Sequence, residues 1–248
     1  MTNNNIYFIA NWKMFGSVKL VNSLNNVISY SKKNKHKAKI VYCPPYTLLK
    51  SFVAKTKNSN IEIGAQDCHI NSDYGPYTGA ISSKMIKDLG AKFVIIGHSE
   101  TREENDNKKI NLKIKSALNK KLNVIFCIGE KLIDKKKNKT KFVLKKQLLE
   151  GLKNLNKLNK VIIAYEPVWS IGTGIIPTEN NLTKNIQFIK DTLKRSKKFL
   201  KSKVLYGGSV NPKNITNLKK IHLIDGFLVG SASRNSNKFI DIIKKSII

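Results

Sequence analysis

Arginine and acidic residues are scarce in this chain of 248 residues. Only three of the 46 basic residues are arginines, and 16 acidic residues leave a formal net charge of +30. Proteins that bind nucleic acids favour arginine for bidentate contacts and intersperse aromatic rings. The lysine run at residues 135–137 has no aromatic neighbour, and abundant lysine with abundant asparagine indicates an A- and T-rich coding sequence. We therefore expect solvated surface lysines, far from any site, and no nucleic-acid partner. A basic binding module remains the alternative.

Cysteine is also sparse. Cys43, Cys68 and Cys127 are odd in number, far apart, and lack the spacing of metal ligands. This pattern indicates free thiols in a reducing compartment rather than a disulfide framework. We expect a cytoplasmic protein without a metal site.

Long apolar runs are absent. A membrane span needs roughly 20 consecutive apolar residues, and no run here approaches that length. Residues 1–5 lack a basic segment, which argues against a signal peptide. A mean hydropathy of −0.30, 41% apolar residues and the lack of a Pro/Gly/Ser-rich linker indicate one soluble domain over residues 1–248, with no membrane partner.

Eight short apolar runs recur at fairly even spacing. They are continuous rather than alternating, as expected of strands buried on both faces, and they cover residues 7–10, 40–43, 61–65, 93–97, 124–128, 161–165, 204–206 and 227–229. Segments with helical periodicity lie between them, including Val18 to Ile28 and Phe142 to Leu152. Strands that alternate with helices predict a parallel sheet. Eight such units in this length predict a (β/α)₈ barrel of α/β class, with eight parallel strands each followed by a helix.

Polar side chains follow three of these strands, where such barrels carry their chemistry. Asn11 and Lys13 follow the first strand, and an i, i+2 pair in extended chain points to one side. His98 follows the fourth strand, and a helix that begins there would favour a neutral imidazole. Glu166 follows the sixth strand, ahead of a loop rich in glycine, which is typical of a base beneath a lid. A surface lysine, a structural histidine and a capping carboxylate are the plainer alternatives.

Glycines follow the seventh and eighth strands, in residues 206–210 and 229–232. Glycine lets backbone N–H groups approach an anion closely. Barrels of this kind commonly hold phosphate in these two loops. The sequence therefore predicts a phosphate site there, although either glycine pair alone could be a turn.

Along nearly its whole length the sequence resembles the triosephosphate isomerase family. The matching motifs are NWKM at 11–14, GHSE at 97–100, AYEPVW at 164–169, IGTG at 171–174, YGGSV at 206–210 and DGFLVG at 225–230. The resemblance implies an isomerase that interconverts glyceraldehyde 3-phosphate and dihydroxyacetone phosphate through an enediolate, in glycolysis and gluconeogenesis, with no cofactor. A different phosphate-binding barrel enzyme, such as a sugar-phosphate epimerase or lyase, is the alternative.

The resemblance also implies residue roles. Glu166 would be the base and His98 the electrophile that moves protons on the substrate oxygens, while Asn11 and Lys13 would bind substrate and Glu100 would support Lys13. Phosphate would be held by backbone N–H groups of Gly172, Ser209, Gly230 and Ser231. The family is usually homodimeric, and residues 74–79 look like its intersubunit loop, with Thr78 and Gln66 as partner contacts.

The sequence departs from the family pattern in several places. Ser231 stands where many members have glycine, so phosphate binding would depend on the direction of its N–H. Residues 175–177 read Ile-Ile-Pro, a stiffer end to the lid loop. Lys190 replaces an arginine that often pairs with the carboxylate at Asp225, and lysine lacks bidentate geometry.

Overall fold

The computed structural model describes residues 5–155, 158–195 and 202–247. Within them, eight strands pair in parallel and close into a barrel in chain order, with β8 against β1. The strands are β1 Ile6–Asn11, β2 Ala38–Cys43, β3 Ile61–Ala65, β4 Phe93–Ile96, β5 Asn123–Ile128, β6 Val161–Tyr165, β7 Val204–Tyr206 and β8 Gly226–Val229. The predicted (β/α)₈ barrel is confirmed. Residues 1–4, which the argument against a signal peptide used, lie outside the described residues. A single domain over the whole chain stays a prediction.

Helices follow the strands on the outside of the barrel. Their bounds are α1 Leu24–Lys33, α2 Tyr46–Thr56, α3 Ser83–Asp88, α4 Asn107–Asn119, α5 Leu132–Lys136, α6 Thr140–Gly151, α7 Glu179–Arg195, α8 Ile215–Leu218 and α9 Ser236–Ile247. Among these helices, none combines the length and apolar character that crossing a bilayer requires.

Three helix predictions need correction. The periodic stretch that starts at Val18 is a 3₁₀ helix, Val18–Ser23, before α1 begins. The stretch 134–141, expected to be an exposed loop, contains the end of α5, whose first turn is fixed because Asp134 accepts the N–H of Lys131 at 3.1 Å. In α6, Phe142 and Leu149 are exposed rather than part of the buried face.

Alternate residues of each strand point into and out of the barrel. Phe8 and Ala10 belong to the large apolar cluster between strands and helices, whereas Ile9 lies in the barrel interior. Both directions are apolar, which explains the continuous runs. The interior cluster consists of Ile9, Val41, Cys43, Phe93, Ile95, Ile125, Cys127, Ile162, Ala164, Leu205 and Leu228. This packed interior closes the barrel beneath the residues at the carboxyl ends of the strands.

Candidate active site

The inward-pointing rows of the strands lead directly into the polar residues above the barrel. Two residues beyond the interior Ile9 comes Asn11, and two beyond Ala164 comes Glu166. The rows of β7 and β8 continue from Leu205 to Gly207 and from Leu228 to Gly230 in the same way. Because side-chain direction repeats every two residues in a strand, these positions converge on the mouth of the barrel.

A cavity of about 250 Å³ opens at this end. It is lined by nine residues that the sequence predicted for the site, namely Asn11, Lys13, His98, Glu100, Glu166, Gly172, Ser209, Gly230 and Ser231. Gln66 and Thr78, predicted as partner contacts, are not among its lining residues. Residues that lie as much as 220 positions apart in the chain thus meet around one small space.

Glu166 forms the buried anionic centre of this cavity. Its side chain is only 3% exposed, and Oε1 lies 3.4 Å from His98 Nε2. Among the described residues, Oε2 has no hydrogen-bond partner. Burial raises the pKa of Glu166, and its polar neighbours, His98 foremost and Lys13 among the others, offset this only in part. A carboxylate with a raised pKa and an unengaged oxygen is suited to accept a proton from a bound molecule.

Gly207, directly after β7, makes room for this carboxylate. A Cβ on Gly207 would lie 2.8 Å from Glu166 Cγ and 3.2 Å from Oε1. Any larger residue would therefore push the carboxylate away from its present position. The glycine that looked like part of an anion-binding loop also serves to seat Glu166.

His98 is oriented by the start of the 3₁₀ turn Ser99–Thr101. Its Nδ1 accepts the backbone N–H of Glu100 at 3.2 Å, so Nδ1 carries no proton. A neutral ring then carries its proton on Nε2, the nitrogen that faces Glu166. This arrangement presents the Nε2–H of His98 as a donor to the cavity, and it leaves Oε2 of Glu166 available as an acceptor.

Lys13 is held in an unusual backbone conformation, with φ at 55°. Asn11 Oδ1 accepts its N–H at 3.0 Å, and Gln66 Nε2 donates to its carbonyl oxygen at 2.9 Å. Its ammonium contacts Glu100 Oε1 at 2.6 Å. Left-handed backbone costs a residue with a Cβ roughly 1–2 kcal/mol, and such strain persists where the surroundings enforce it. The lysine is therefore fixed at the cavity wall rather than free on the surface.

The loop from Pro167 to Pro177, here called the lid loop, covers one side of the cavity. Gly172 and Gly174 have φ of 72° and 79°, which favours glycine at both positions. Ser170 Oγ donates to the carbonyl oxygen of Ile175 at 2.6 Å and contacts Tyr206 Oη at 3.1 Å. These bonds join Ser170 to Ile175 across the middle of the lid loop and connect the loop to β7.

The first turn of the lid loop rests on Glu130, which sequence reasoning missed. Trp169 Nε1 donates to Glu130 Oε1 at 2.9 Å, and Tyr165 Oη donates to Oε2 at 3.2 Å. Burial raises the pKa of Glu130, and these two hydrogen bonds offset it in part. Glu130 follows β5 by two residues, so a search of every strand end for carboxylates would have found it.

Lys135 overturns the expectation that residues 135–137 lie far from the site. Its Nζ lies 3.5 Å from the centroid of the Trp169 ring. The short helix α5, which was expected to be loop, carries the lysine to this position. An ammonium over the face of an indole is attracted by the ring quadrupole. Lys135 therefore contacts the lid loop, unlike the exposed Lys136 and Lys137.

The loops after β7 and β8 face the same cavity. A Cβ on Gly230 would meet only Lys13 Cε, at 3.9 Å, so the backbone there borders open space. The N–H of Ser209 points towards Ser170 Oγ at 3.4 Å, a long hydrogen bond that an anion could replace. Trp12, which was not singled out from the sequence, fixes the second loop because its Nε1 donates to Ser233 O at 3.3 Å.

The segment expected to reach a partner subunit is exposed. Thr78 is exposed, and Tyr74 and Tyr77 are 64% and 47% exposed. Gln66 contacts its own chain through Lys13 O and Cys43 O. In the described residues, then, Gln66 supports the backbone beside the cavity, and its role towards a partner stays a prediction.

The lysine predicted to replace an arginine makes the expected contact. Lys190 Nζ lies 2.9 Å from Asp225 Oδ2, and Lys203 Nζ lies 3.2 Å from Oδ1. Two lysines thus contact the two oxygens that one guanidinium could engage as a fork.

All three cysteines are free and buried. Across the described ranges, no group of three or more His, Cys, Asp or Glu side chains is arranged to hold a metal ion.

Comparisons with known proteins agree with this geometry. The sequence model of the family described as triosephosphate isomerase matches residues 6–246. The chain is 41% identical over 241 residues to a triosephosphate isomerase of Wolbachia pipientis, covering 96% of this chain and 92% of the relative. It is 42% identical over 242 residues to that of Dictyoglomus thermophilum, covering 95% and 97%.

A solved structure extends the agreement to the fold. The crystal structure of triosephosphate isomerase from Bartonella henselae superposes with a TM-score of 0.89 at 33% identity, covering 97% of this chain and 98% of that one. The match covers nearly the whole of both chains. The chain therefore belongs to the triosephosphate isomerase family.

Proposed function

We propose that this chain interconverts glyceraldehyde 3-phosphate and dihydroxyacetone phosphate through an enediolate, with Glu166 as the base. Membership of the family gives the reaction. The observation that carries the residue assignment is the buried carboxylate of Glu166, 3.4 Å from His98 Nε2 within one cavity. Glu166 takes a proton from the carbon beside the carbonyl and returns one to the neighbouring carbon.

His98 handles the protons of the substrate oxygens. Its Nε2–H donates to the oxygen on which negative charge develops, and the ring then passes a proton between the two oxygens. Lys13 stabilises the same charge as a fixed cation, and Asn11 binds substrate beside it. Donors that are already in place need no reorganisation when charge develops, which makes this contribution large. Glu100 supports Lys13 through the ion pair at 2.6 Å.

The phosphate group is held by backbone N–H groups of Gly172, Ser209, Gly230 and Ser231. Three of these lie in the loops after β7 and β8, where barrels of this architecture commonly bind phosphate. Gly172 lies in the lid loop, so phosphate binding and lid closure are coupled. Closure excludes water, which strengthens the electrostatic interactions within and prevents loss of the intermediate.

We further propose that the enzyme works without metal or organic cofactor, as a cytoplasmic homodimer. An intersubunit contact through residues 74–79 is supported by the exposed side chains of Tyr74, Tyr77 and Thr78. Gln66, with its amide on the backbone of Lys13, would then link that contact to the cavity. The expectations of no nucleic-acid and no membrane partner stay predictions.

A coupled assay tests the reaction and its base together. Purified protein is given glyceraldehyde 3-phosphate, and dihydroxyacetone phosphate is followed; Glu166→Gln is assayed beside the wild type. We expect turnover by the wild type and a loss of roughly 10²–10⁴-fold in the variant. Wild-type protein that instead converts a pentulose phosphate or cleaves a sugar phosphate would favour the epimerase or lyase alternative.

A further inference from the structure

Arg234 is a second cation, besides Lys13, that lines the active-site cavity. It ends the 3₁₀ turn Ser231–Arg234 that follows β8, and it lines the same cavity as Glu166 and Lys13. It is one of only three arginines in a chain whose basic residues are otherwise lysine. Arginine differs from lysine in presenting five N–H donors in a rigid planar fork.

The guanidinium packs against its neighbours. Its central carbon lies 4.0 Å from the ring centroid of Phe15, and Nε makes a long hydrogen bond of 3.4 Å to Ser231 O. The turn itself is fixed because Ser233 Oγ donates to Gly230 O at 2.7 Å and Trp12 Nε1 donates to Ser233 O. These contacts restrict the side chain, which lowers the conformational entropy lost when it binds an anion.

The donor groups of Arg234 remain available. Among the described residues, neither Nη1 nor Nη2 has a hydrogen-bond acceptor, and no carboxylate lies within 4.0 Å of the guanidinium. The other long cationic side chain at the cavity, Lys13, is already paired with Glu100. The positive charge that the described structure leaves unneutralised beside the cavity is therefore that of Arg234.

We propose that Arg234 binds the phosphate group of the substrate through its guanidinium, in addition to the backbone N–H groups. This inference rests on the proposed function, because it assigns the phosphate end of that substrate. A guanidinium fork matches two phosphate oxygens, and such charge-assisted pairs are about twice as strong as neutral hydrogen bonds. Arg234 also attracts the dianion before contact and so raises the rate of capture.

A purely structural role for Arg234 makes different predictions. If the side chain served only to hold Phe15, losing it would disturb residues 11–15 and lower kcat through Lys13. Arg234→Met keeps an unbranched stem that can pack on the ring but removes the charge. Arg234→Lys keeps the charge without the fork. Arg195→Met is the matched control, since Arg195 is an exposed arginine at the end of α7 and does not line the cavity.

The experiment measures phosphate binding and catalysis separately. Titration calorimetry with inorganic phosphate gives the dissociation constant for each variant, and steady-state kinetics at several chloride concentrations give KM, kcat and the salt dependence. For Arg234→Met we expect about a 10-fold weaker phosphate affinity and a similar rise in KM, which corresponds to the loss of one charge-assisted contact. Loss of uniform binding leaves kcat within about twofold of the wild type.

Arg234→Lys should recover part of the affinity, Arg195→Met should match the wild type, and kcat/KM of Arg234→Met should fall less steeply with salt. Unchanged phosphate affinity in Arg234→Met, or a fall in kcat without a rise in KM, would overturn the proposal. A wild type that binds phosphate through Arg234 yet does not isomerise triose phosphates would contradict the proposed function and leave this phosphate contact standing.

Discussion

His98 Nε2 lies 3.4 Å from Glu166 Oε1, and the two side chains are 7% and 3% exposed. The backbone N–H of Glu100 occupies the other ring nitrogen of His98 and so directs an Nε2–H towards the base. The base and the hydrogen-bond donor are thus adjacent before substrate arrives. Reaction of a substrate bound against both side chains needs little rearrangement, which is the main source of catalytic advantage in such a site.

Shortening the base by one methylene tests this adjacency. Glu166→Asp keeps the charge but retracts the carboxylate, and a misplacement of about 1 Å can cost roughly 10²-fold in rate. We expect kcat to fall by that order in the coupled assay. Glu179→Asp, on the exposed first turn of α7, is the matched control and should retain wild-type turnover. Near-normal kcat in Glu166→Asp would contradict the assignment of the base.

The buried charge of Glu166 should also make stability depend on pH. Burial raises its pKa above the ordinary value of 4.5. The folded state therefore binds the proton of Glu166 more tightly than the unfolded state does. The stabilisation that this protonation gives the folded state is fully present below pH 4.5 and is lost as pH rises through the raised pKa. At neutral pH the ionised carboxylate lowers the free energy of unfolding.

Glu166→Gln should remove this effect. Urea unfolding of the variant and the wild type across pH should show the variant to be the more stable at neutral pH, with the difference shrinking towards pH 4.5. Glu179→Gln should show no such convergence. A difference that grew as pH fell would mean that the folded protein lowers the pKa of Glu166, against the direction expected from burial.

The fold could be read from the sequence because strand burial and side-chain direction repeat locally. All eight strands lie within about two residues of their predicted bounds. The site residues at strand ends could be predicted for the same reason, since Asn11, His98 and Glu166 follow apolar runs directly. Glu130 also follows an apolar run, two residues beyond β5, but the end of that strand was not searched for carboxylates.

Contacts between distant segments could not be read from the sequence. Lys135 was one lysine in a run of three, and nothing local distinguished it from Lys136; only the packing of α5 against the lid loop places it over Trp169. Arg234 likewise gains significance from Phe15, more than 200 residues away in the chain. Phe142 and Leu149 were misassigned because apolar residues occur on both sides of α6, so periodicity did not specify a face.

Lys135 should influence the lid loop. A cation–π contact is worth about 0.5–2 kcal/mol depending on exposure, so Lys135→Met should weaken the support of Trp169 and lower kcat/KM by about 3-fold. Lys136→Met removes the same charge one residue away and should leave kcat/KM unchanged. Tryptophan fluorescence should change on addition of a phosphate-bearing inhibitor in the wild type and less so in Lys135→Met. Equal effects of the two substitutions would reduce Lys135 to a general surface charge.

Residues 74–79 should carry the contact between subunits. This segment follows β3. Its side chains Tyr74 and Tyr77 are 64% and 47% exposed, and Thr78, next to Tyr77, is exposed as well. Met14, next to Lys13, is 92% exposed as well. Exposed apolar side chains of this size are typical of an interaction surface, and a partner subunit would cover them without further change in the barrel.

Thr78→Arg tests this assembly without removing the segment. A charged side chain at a buried contact costs several times more than at the surface, because its desolvation is not compensated. We expect sedimentation at micromolar concentration to show a dimer for the wild type and a monomer for Thr78→Arg, with lower kcat/KM because Met14 and the strained Lys13 lose their cover. Asn217→Arg, on the exposed side of α8, adds the same charge and should remain dimeric and active. A wild type that sediments as a monomer would contradict the proposed homodimer. A Thr78→Arg variant that stays dimeric would place the subunit contact outside residues 74–79.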